Sequence, residues 1–168
     1  DFLNFASKLG GKKGIEISKQ NIFEWYKINS LKINKLWNNE FVANRIINLL
    51  YNFEYINSLS SNKDSNKLKK ILKFHIRRFT IDYYFKKVDD ISISELKAFI
   101  LINIVSNKKN IIYEKQFTNI IRNQLDNFSI HKSYNLIDHS IFINDISEII
   151  NILLSYKYEV SEIFFITK

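Results

Sequence analysis

Residues 38–58 read NNEFVANRIINLLYNFEYINS. Phe41, Val42, Ile46, Leu49, Leu50, Phe53 and Ile56 recur at the i, i+3, i+4 interval over roughly five turns, the spacing that lays apolar side chains along one stripe of an α-helix. The stretch predicts one amphipathic helix from about Asn38 to Ser58. Before it, Glu16 to about Asn29 carries Ile22, Phe23, Trp25 and Tyr26 on one side, and Asn29-Ser30 closes that segment. Earlier still, Gly10, Gly11 and Gly14 form the sequence's one glycine cluster. It lacks the strand-then-helix context of a phosphate-cradling loop, so Leu9–Gly14 reads as a plain connector.

Downstream, Ser58–Asp64 is a polar loop, and Leu68, Ile71, Leu72, Phe74, His75, Ile76 and Phe79 mark a third helix reaching toward Phe85. Ser92 or Ser94 caps a fourth, with Leu96, Phe99, Ile100 and Ile104 inward and Ser106–Asn110 at its end. A fifth runs from about Ile112 to Phe128. A sixth, from about Asn135 to Ser155, has Ile137, Ile141, Phe142, Ile146, Ile149, Ile150, Leu153 and Leu154 as its apolar set. Glu159–Lys168 reads as a frayed helix or the start of another. Ile-rich runs such as Ile100–Ile104 favour extended backbone by propensity, but segment length and the i, i+3, i+4 spacing decide for helix. Six or seven helices joined by loops of mostly about 3–8 residues make an all-α fold of antiparallel hairpins.

The chain has 168 residues, 46% hydrophobic and 15% aromatic, enough for one sizeable core and one domain over residues 1–168, and too apolar for global disorder. Because it opens at Asp1 and contains no methionine, it reads as an excised part of a longer protein. A formal net charge of +8 favours a polyanionic partner. Proline is absent while Ile, Asn and Lys abound, a pattern of AT-rich coding that also supplies lysine for reasons unrelated to binding. With no cysteine, disulfides, thiolate metal sites and cysteine nucleophiles are excluded. Every apolar run is broken by Lys, Asn or Asp before the ~18 residues of a membrane span, so no span is expected. No leader is visible, which leaves localisation open between periplasm and cytoplasm.

Three histidines, His75, His131 and His139, have no metal-ligand spacing, and no nucleophile elbow supports a Ser-His-Asp triad. Lys69, Lys70, Lys73 and Arg77 form a basic stripe opposite the apolar face of the third helix. A solvated outer face is the preferred reading of that stripe, ahead of nucleic-acid binding. Trp25 and Trp37 read as core aromatics before sugar-stacking ones. Residues 124–135, QLDNFSIHKSYN, concentrate His, Lys, Tyr and Asn at a helix end, the residue types of an acid/base rim as well as of an ordinary polar loop.

The order of these motifs resembles the N-terminal α-helical domain of the heparinase II/III-like polysaccharide lyases, the alginate lyase/chondroitin AC lyase-like fold, in a divergent form. Gln20–Trp25 looks like that family's helix ending in tryptophan, and Trp37–Leu50 is similar to its tryptophan-then-arginine helix, with Leu49 where an aromatic is common. Gln124-Leu125-Asp126 leading into His131–Asn135 and a long helix resembles the stretch that carries paired glycines, an arginine and a proline in relatives. Here Ser129-Ile130 replaces the glycines, Tyr134 the arginine and Leu136 the proline. The Asn-His pair of relatives would fall near Asp90-Ile91 and is not present.

The resemblance implies an incomplete (α/α) toroid, a C-terminal β-sandwich in the same chain, an acidic, uronate-containing polysaccharide or oligosaccharide as partner, and β-elimination without a cofactor. That reaction needs a group to neutralise the C5 carboxylate, a base for the C5 proton and an acid for the departing oxygen. The resemblance assigns Tyr134 and His131 to the acid/base roles, with Lys132, Asn135 and Arg45 near the carboxylate. Arg45 has the structural alternative of an ion pair with Glu24 or Glu54. Two other readings stay open: a non-catalytic helical interaction module, and a basic nucleic-acid-associated helical protein.

Overall fold

The computed structural model describes residues 2–32, 35–107, 113–125 and 135–156, and every regular element among them is helical. They are α1 (Phe2–Leu9), α2 (Gly11–Asn29), α3 (Asn39–Tyr51), α4 (Phe53–Asn57), α5 (Asn62–Phe85), α6 (Ile93–Val105), α7 (Tyr113–Gln124) and α8 (Leu136–Ser155), with short 3-10 turns at Lys35–Trp37 and Val88–Asp90. The all-α class is therefore present. The chain divides into two compact units, residues 1–82 and 83–168. No helix among the described residues is long and apolar enough to cross a membrane.

In the first unit, the expected connector at Leu9–Gly14 is overturned. A helix precedes it, and the break is confined to Gly10 and Gly11, both at positive φ (66° and 67°), where L side chains are strained. Gly14 lies inside α2 for a different reason. A Cβ there would meet the Tyr55 hydroxyl and come within 2.9 Å of the Ala6 carbonyl oxygen, while Tyr55 Oη donates to that same carbonyl at 3.0 Å. The missing side chain lets α1, α2 and α4 close on one another. Buried Ser18, one turn on, donates to the Gly14 carbonyl at 2.8 Å.

The single helix expected over Asn38–Ser58 is two. Asn52 leaves the α-helical region (φ −100°, ψ 6°), and its buried side chain donates to the Asn48 carbonyl at 2.9 Å. The Asn52 N–H still reaches the same Asn48 carbonyl at 3.2 Å, so the interruption is one residue long and α4 restarts at Phe53. The Asn38 side chain caps α3 by accepting from Glu40 N at 3.0 Å. Helix α5 begins at Asn62, earlier than the polar loop predicted, and buries Leu68, Ile71, His75, Phe79 and Tyr83 along one stripe.

The second unit is built around α6. It is apolar nearly all round, and Glu95 to Asn103 are all buried, as a helix without a polar face requires. Ser92, not Ser94, caps it through a full capping box: Glu95 N donates to Ser92 Oγ at 3.3 Å and Ser92 N to Glu95 Oε2 at 2.8 Å. The fully buried Glu95 carboxylate is satisfied by Lys86 Nζ at 2.7 and 2.9 Å. Tyr83 stacks on Phe99 at 4.3 Å and donates to Gln116 at 3.1 Å, fastening α7. Lys97 on α6 reaches α8, pairing with Asp145 at 3.3 Å and hydrogen-bonding Glu148. On α8, Phe142, Ile146, Ile149 and Leu153 are buried, whereas Ile137, Ile141 and Leu154 are exposed, so the inward stripe is narrower than the sequence's apolar set. The predicted C-terminal segment Glu159–Lys168 lies outside the described residues.

Candidate binding site

The unit of residues 1–82 contains a cavity of about 780 Å³, within the size range of small-ligand sites. Its wall includes Ile22, Trp25 and Ile28 from α2, Arg45 and Leu49 from α3, and Ile71 and His75 from α5. The helical repeat places these residues: positions 22, 25 and 28–29 share one face of α2, 45 and 49 one face of α3, and 71 and 75 one face of α5.

Arg45 is the cation of this wall. Its guanidinium carbon lies 4.5 Å from the Trp25 ring centroid and 5.1 Å from that of Trp37, and Nη2 donates to the Leu36 carbonyl at 2.6 Å. The two rings lie 5.4 Å apart, tilted by 59°, and Trp37 Nε1 donates to the Asn29 carbonyl at 3.0 Å, which anchors the buried indole. Arg78 covers the Trp37 ring from α5 at 4.5 Å. Cation–π contacts of this kind contribute about 0.5–2 kcal/mol each and fix the fork's orientation. The alternative of an ion pair with Glu24 or Glu54 is not realised; rings and a carbonyl hold Arg45 instead. Its Nε is buried with no hydrogen-bond partner among the described residues. Burial, then the neighbouring Arg78 charge, pulls its pKa down to about 10, still cationic at neutral pH.

His75 is the buried polar residue of the lining, which also includes Asn21, Glu24 and Asn48. It is 1% exposed, with its ring 5.7 Å from Trp25 and 5.3 Å from Trp37. Nδ1 lies 2.8 Å from the Ile71 carbonyl oxygen, which can only accept, so Nδ1 carries the proton. Nε2 is left as a bare acceptor, buried and without a partner among the described residues. Burial lowers the pKa to about 4, and the charges of Arg45 and Arg78 act in the same direction against the Ile71 hydrogen bond. The cavity is thus largely apolar, with the Arg45 guanidinium, the Glu24 carboxyl and the Asn21 and Asn48 amides in its lining.

Of the residues assigned from the sequence, Arg45 is in this wall. Asn135 is exposed and caps α8, its Oδ1 accepting from Ile137 N at 2.9 Å. His131, Lys132 and Tyr134 lie outside the described residues. The stripe residues Lys69, Lys70, Lys73 and Arg77 are exposed, as a solvated outer face is. The sequence reading left His75 among packed helix residues, although its register with Ile71 and Phe79 marks a polar group on the buried stripe. Of the two tryptophans read as core, Trp37 is buried, and Trp25 is half-buried and lines the cavity. No protein-family model, curated protein or solved structure matches the chain.

Proposed function

We propose that this chain is a helical, acidic-glycan-binding domain of the heparinase II/III-like lyase type, its hairpins forming part of an (α/α) toroid. The cavity beside Arg45 receives a uronate-containing sugar. The observation that carries the reading is Arg45, its guanidinium over both Trp25 and Trp37 and its Nε–H unmatched, in a wall that Asn21, Glu24 and Asn48 also line. A sugar acid offers the complement: a carboxylate for the guanidinium, hydroxyls for Asn21, Glu24 and Asn48, and C–H faces for Ile22, Ile28 and Leu49. Since the guanidinium is already oriented, little side-chain freedom is lost on binding.

Turnover belongs to the same proposal through the motif resemblance alone. In it His131 and Tyr134 take the C5 proton and return one to the leaving oxygen, with Lys132 and Asn135 at the carboxylate.

The test is calorimetric titration of the full chain with an oligo-uronate and with a neutral oligosaccharide of equal length, plus ultraviolet absorbance for the unsaturated uronate product. Saturable binding of the acidic oligomer, lost in Arg45→Met, is expected. An absorbance rise supports lyase turnover, and binding without a rise supports the non-catalytic interaction module. Equal or absent binding of the two oligomers overturns the glycan reading, and binding to nucleic acid that weakens steeply with salt would replace it.

A further inference from the structure

Helix α5 carries seven Lys and Arg between Asn62 and Ile81 against one acid, Asp64, which Lys19 of α2 meets at 3.7 Å. Lys63, Lys67, Lys70, Phe74 and Arg77 follow one another at four- and three-residue intervals, which draws a single line along the helix. From Lys63 to Arg77 that line rises about 21 Å at 1.5 Å per residue. Two contacts turn it toward α2 and the 3-10 turn. Lys67 Nζ lies 4.0 Å from the Phe23 ring centroid, and Phe74 meets Tyr26 and Trp37 edge-on, with centroids 5.3 and 5.5 Å apart. Arg78, one turn after Phe74, lies over Trp37, the ring that Arg45 also covers, so the cations continue to the cavity wall within the unit of residues 1–82.

Lys63, Lys70 and Arg77 are exposed and have no ion-pair partner among the described residues. Like charges one turn apart repel and weaken a helix, and a polyanion laid along them removes that repulsion and releases counterions. The rings decide which polyanion fits. Single-stranded nucleic acid needs open aromatic faces for its bases. Here Lys67 sits over Phe23, Trp37 is buried beneath two guanidiniums, and Phe74 is held edge-on by two rings. The line therefore offers spaced cations without stacking platforms, the complement of a chain of acid groups. Glu24 bears on where those groups go. Its carboxyl lines the cavity, Oε1 accepting from Gln20 Nε2 at 3.0 Å, so a second acid group brought there is repelled, whereas α5 has no carboxylate between Asp64 and Asp82.

We propose that the Lys63–Arg77 line of α5 is an extended binding surface for an acidic polysaccharide chain, holding its successive acid groups while Arg45 engages one uronate in the cavity. This rests on the acidic-glycan reading above and adds to it a second surface and a requirement on the ligand, that it be a polymer.

The experiment measures the affinity of the full chain for a di-uronate, an octa-uronate and an eight-nucleotide oligothymidylate, by calorimetry at low and at physiological salt. The proteins are the native sequence, the double variant Lys70→Gln/Arg77→Gln, and Lys12→Gln/Lys13→Gln, which makes the same charge change on α2 away from the line. The native protein is expected to bind the octamer at least about 10-fold more tightly than the dimer, because the line adds a second set of contacts on one chain. Lys70→Gln/Arg77→Gln should bring the octamer to within about threefold of the dimer and flatten its salt dependence, while Lys12→Gln/Lys13→Gln keeps the gain. The inference is overturned if the octamer binds no better than the dimer, a comparison that needs no variant. It is also overturned if Lys70→Gln/Arg77→Gln keeps the full gain, or if the α2 variant loses as much, which would make the effect one of net charge. Tighter binding of the oligothymidylate than of the octa-uronate, lost in Lys70→Gln/Arg77→Gln, assigns the line to nucleic acid and overturns the glycan assignment. Failure of both uronates to bind the native protein is a different result, and it overturns the proposed function itself.

Discussion

Acidification should destabilise this protein through His75, and the size of the effect follows from the cavity wall. Unfolded, the imidazole titrates near its ordinary 6.5; folded, it titrates at about 4, because burial and the charges of Arg45 and Arg78 oppose protonation. Between those values the unfolded chain binds a proton that the folded one does not, so stability falls as pH drops through the window. Above pH 6.5 neither state is protonated and the term vanishes. Linkage gives a loss of about 1 kcal/mol at pH 5.5 and about 2–3 kcal/mol at pH 4.5. Other groups titrate in the same range, so the informative quantity is the native protein minus His75→Gln, measured by urea denaturation at pH 7.5, 5.5 and 4.5. A difference that grows by those amounts on acidification supports the account. A pH-independent difference would show that His75 titrates alike in the folded and unfolded states, and the bare-acceptor description would be wrong.

Other perturbations follow from single contacts. Gly14→Ala should lower stability by about 1–3 kcal/mol in thermal or urea unfolding, since its methyl group meets Tyr55 and the Ala6 carbonyl. Ser92→Ala removes the capping-box acceptor of α6 and should cost about 1 kcal/mol by the same measurement, with Ser92→Gly costing less. Lys97→Met keeps the buried aliphatic stem but takes the ammonium from Asp145 and Glu148, leaving Glu148 its hydrogen bond from Asn144. A loss of about 1–3 kcal/mol is expected, below that of a fully buried pair because the carboxylates are partly exposed. The hydrogen bond from Lys97 holds Glu148 below its ordinary pKa, so that stabilisation is full above the ordinary carboxylate range and fades as pH falls through the lowered value. Carbon-detected titration should show the Glu148 pKa rising in Lys97→Met, and an unchanged value would sever the link.

Helical class was legible because the apolar spacing of α3, α5 and α8 repeats over many turns, and Ser92 and Asn135 announced the starts of α6 and α8. Boundaries set by one side chain were not. The predicted long helix is interrupted at Asn52, whose side chain bonds the Asn48 carbonyl, and nothing in periodicity distinguishes it from the other asparagines of that segment. Gly14 looked like connector material because its role, admitting Tyr55, depends on a residue 41 positions away. Arg45 was singled out from the motif resemblance, but its setting against two indoles required α2, the 3-10 turn and α3 to be assembled. His75 was nearer to being readable: a histidine in step with Leu68, Ile71 and Phe79 is a polar group on a buried stripe.

The chain has two tryptophans, Trp25 in the cavity wall and Trp37 beside it, both in contact with Arg45 and His75. A proton–nitrogen correlation spectrum of the full chain therefore reports the site through two indole signals. Titration with an oligo-uronate is predicted to shift the Trp25 indole saturably, with a smaller shift of Trp37, whose Nε1 stays bonded to the Asn29 carbonyl. Both shifts should vanish in Arg45→Met. Indole signals that stay fixed while the acidic oligomer is saturating would contradict the claim that this cavity is where the ligand binds.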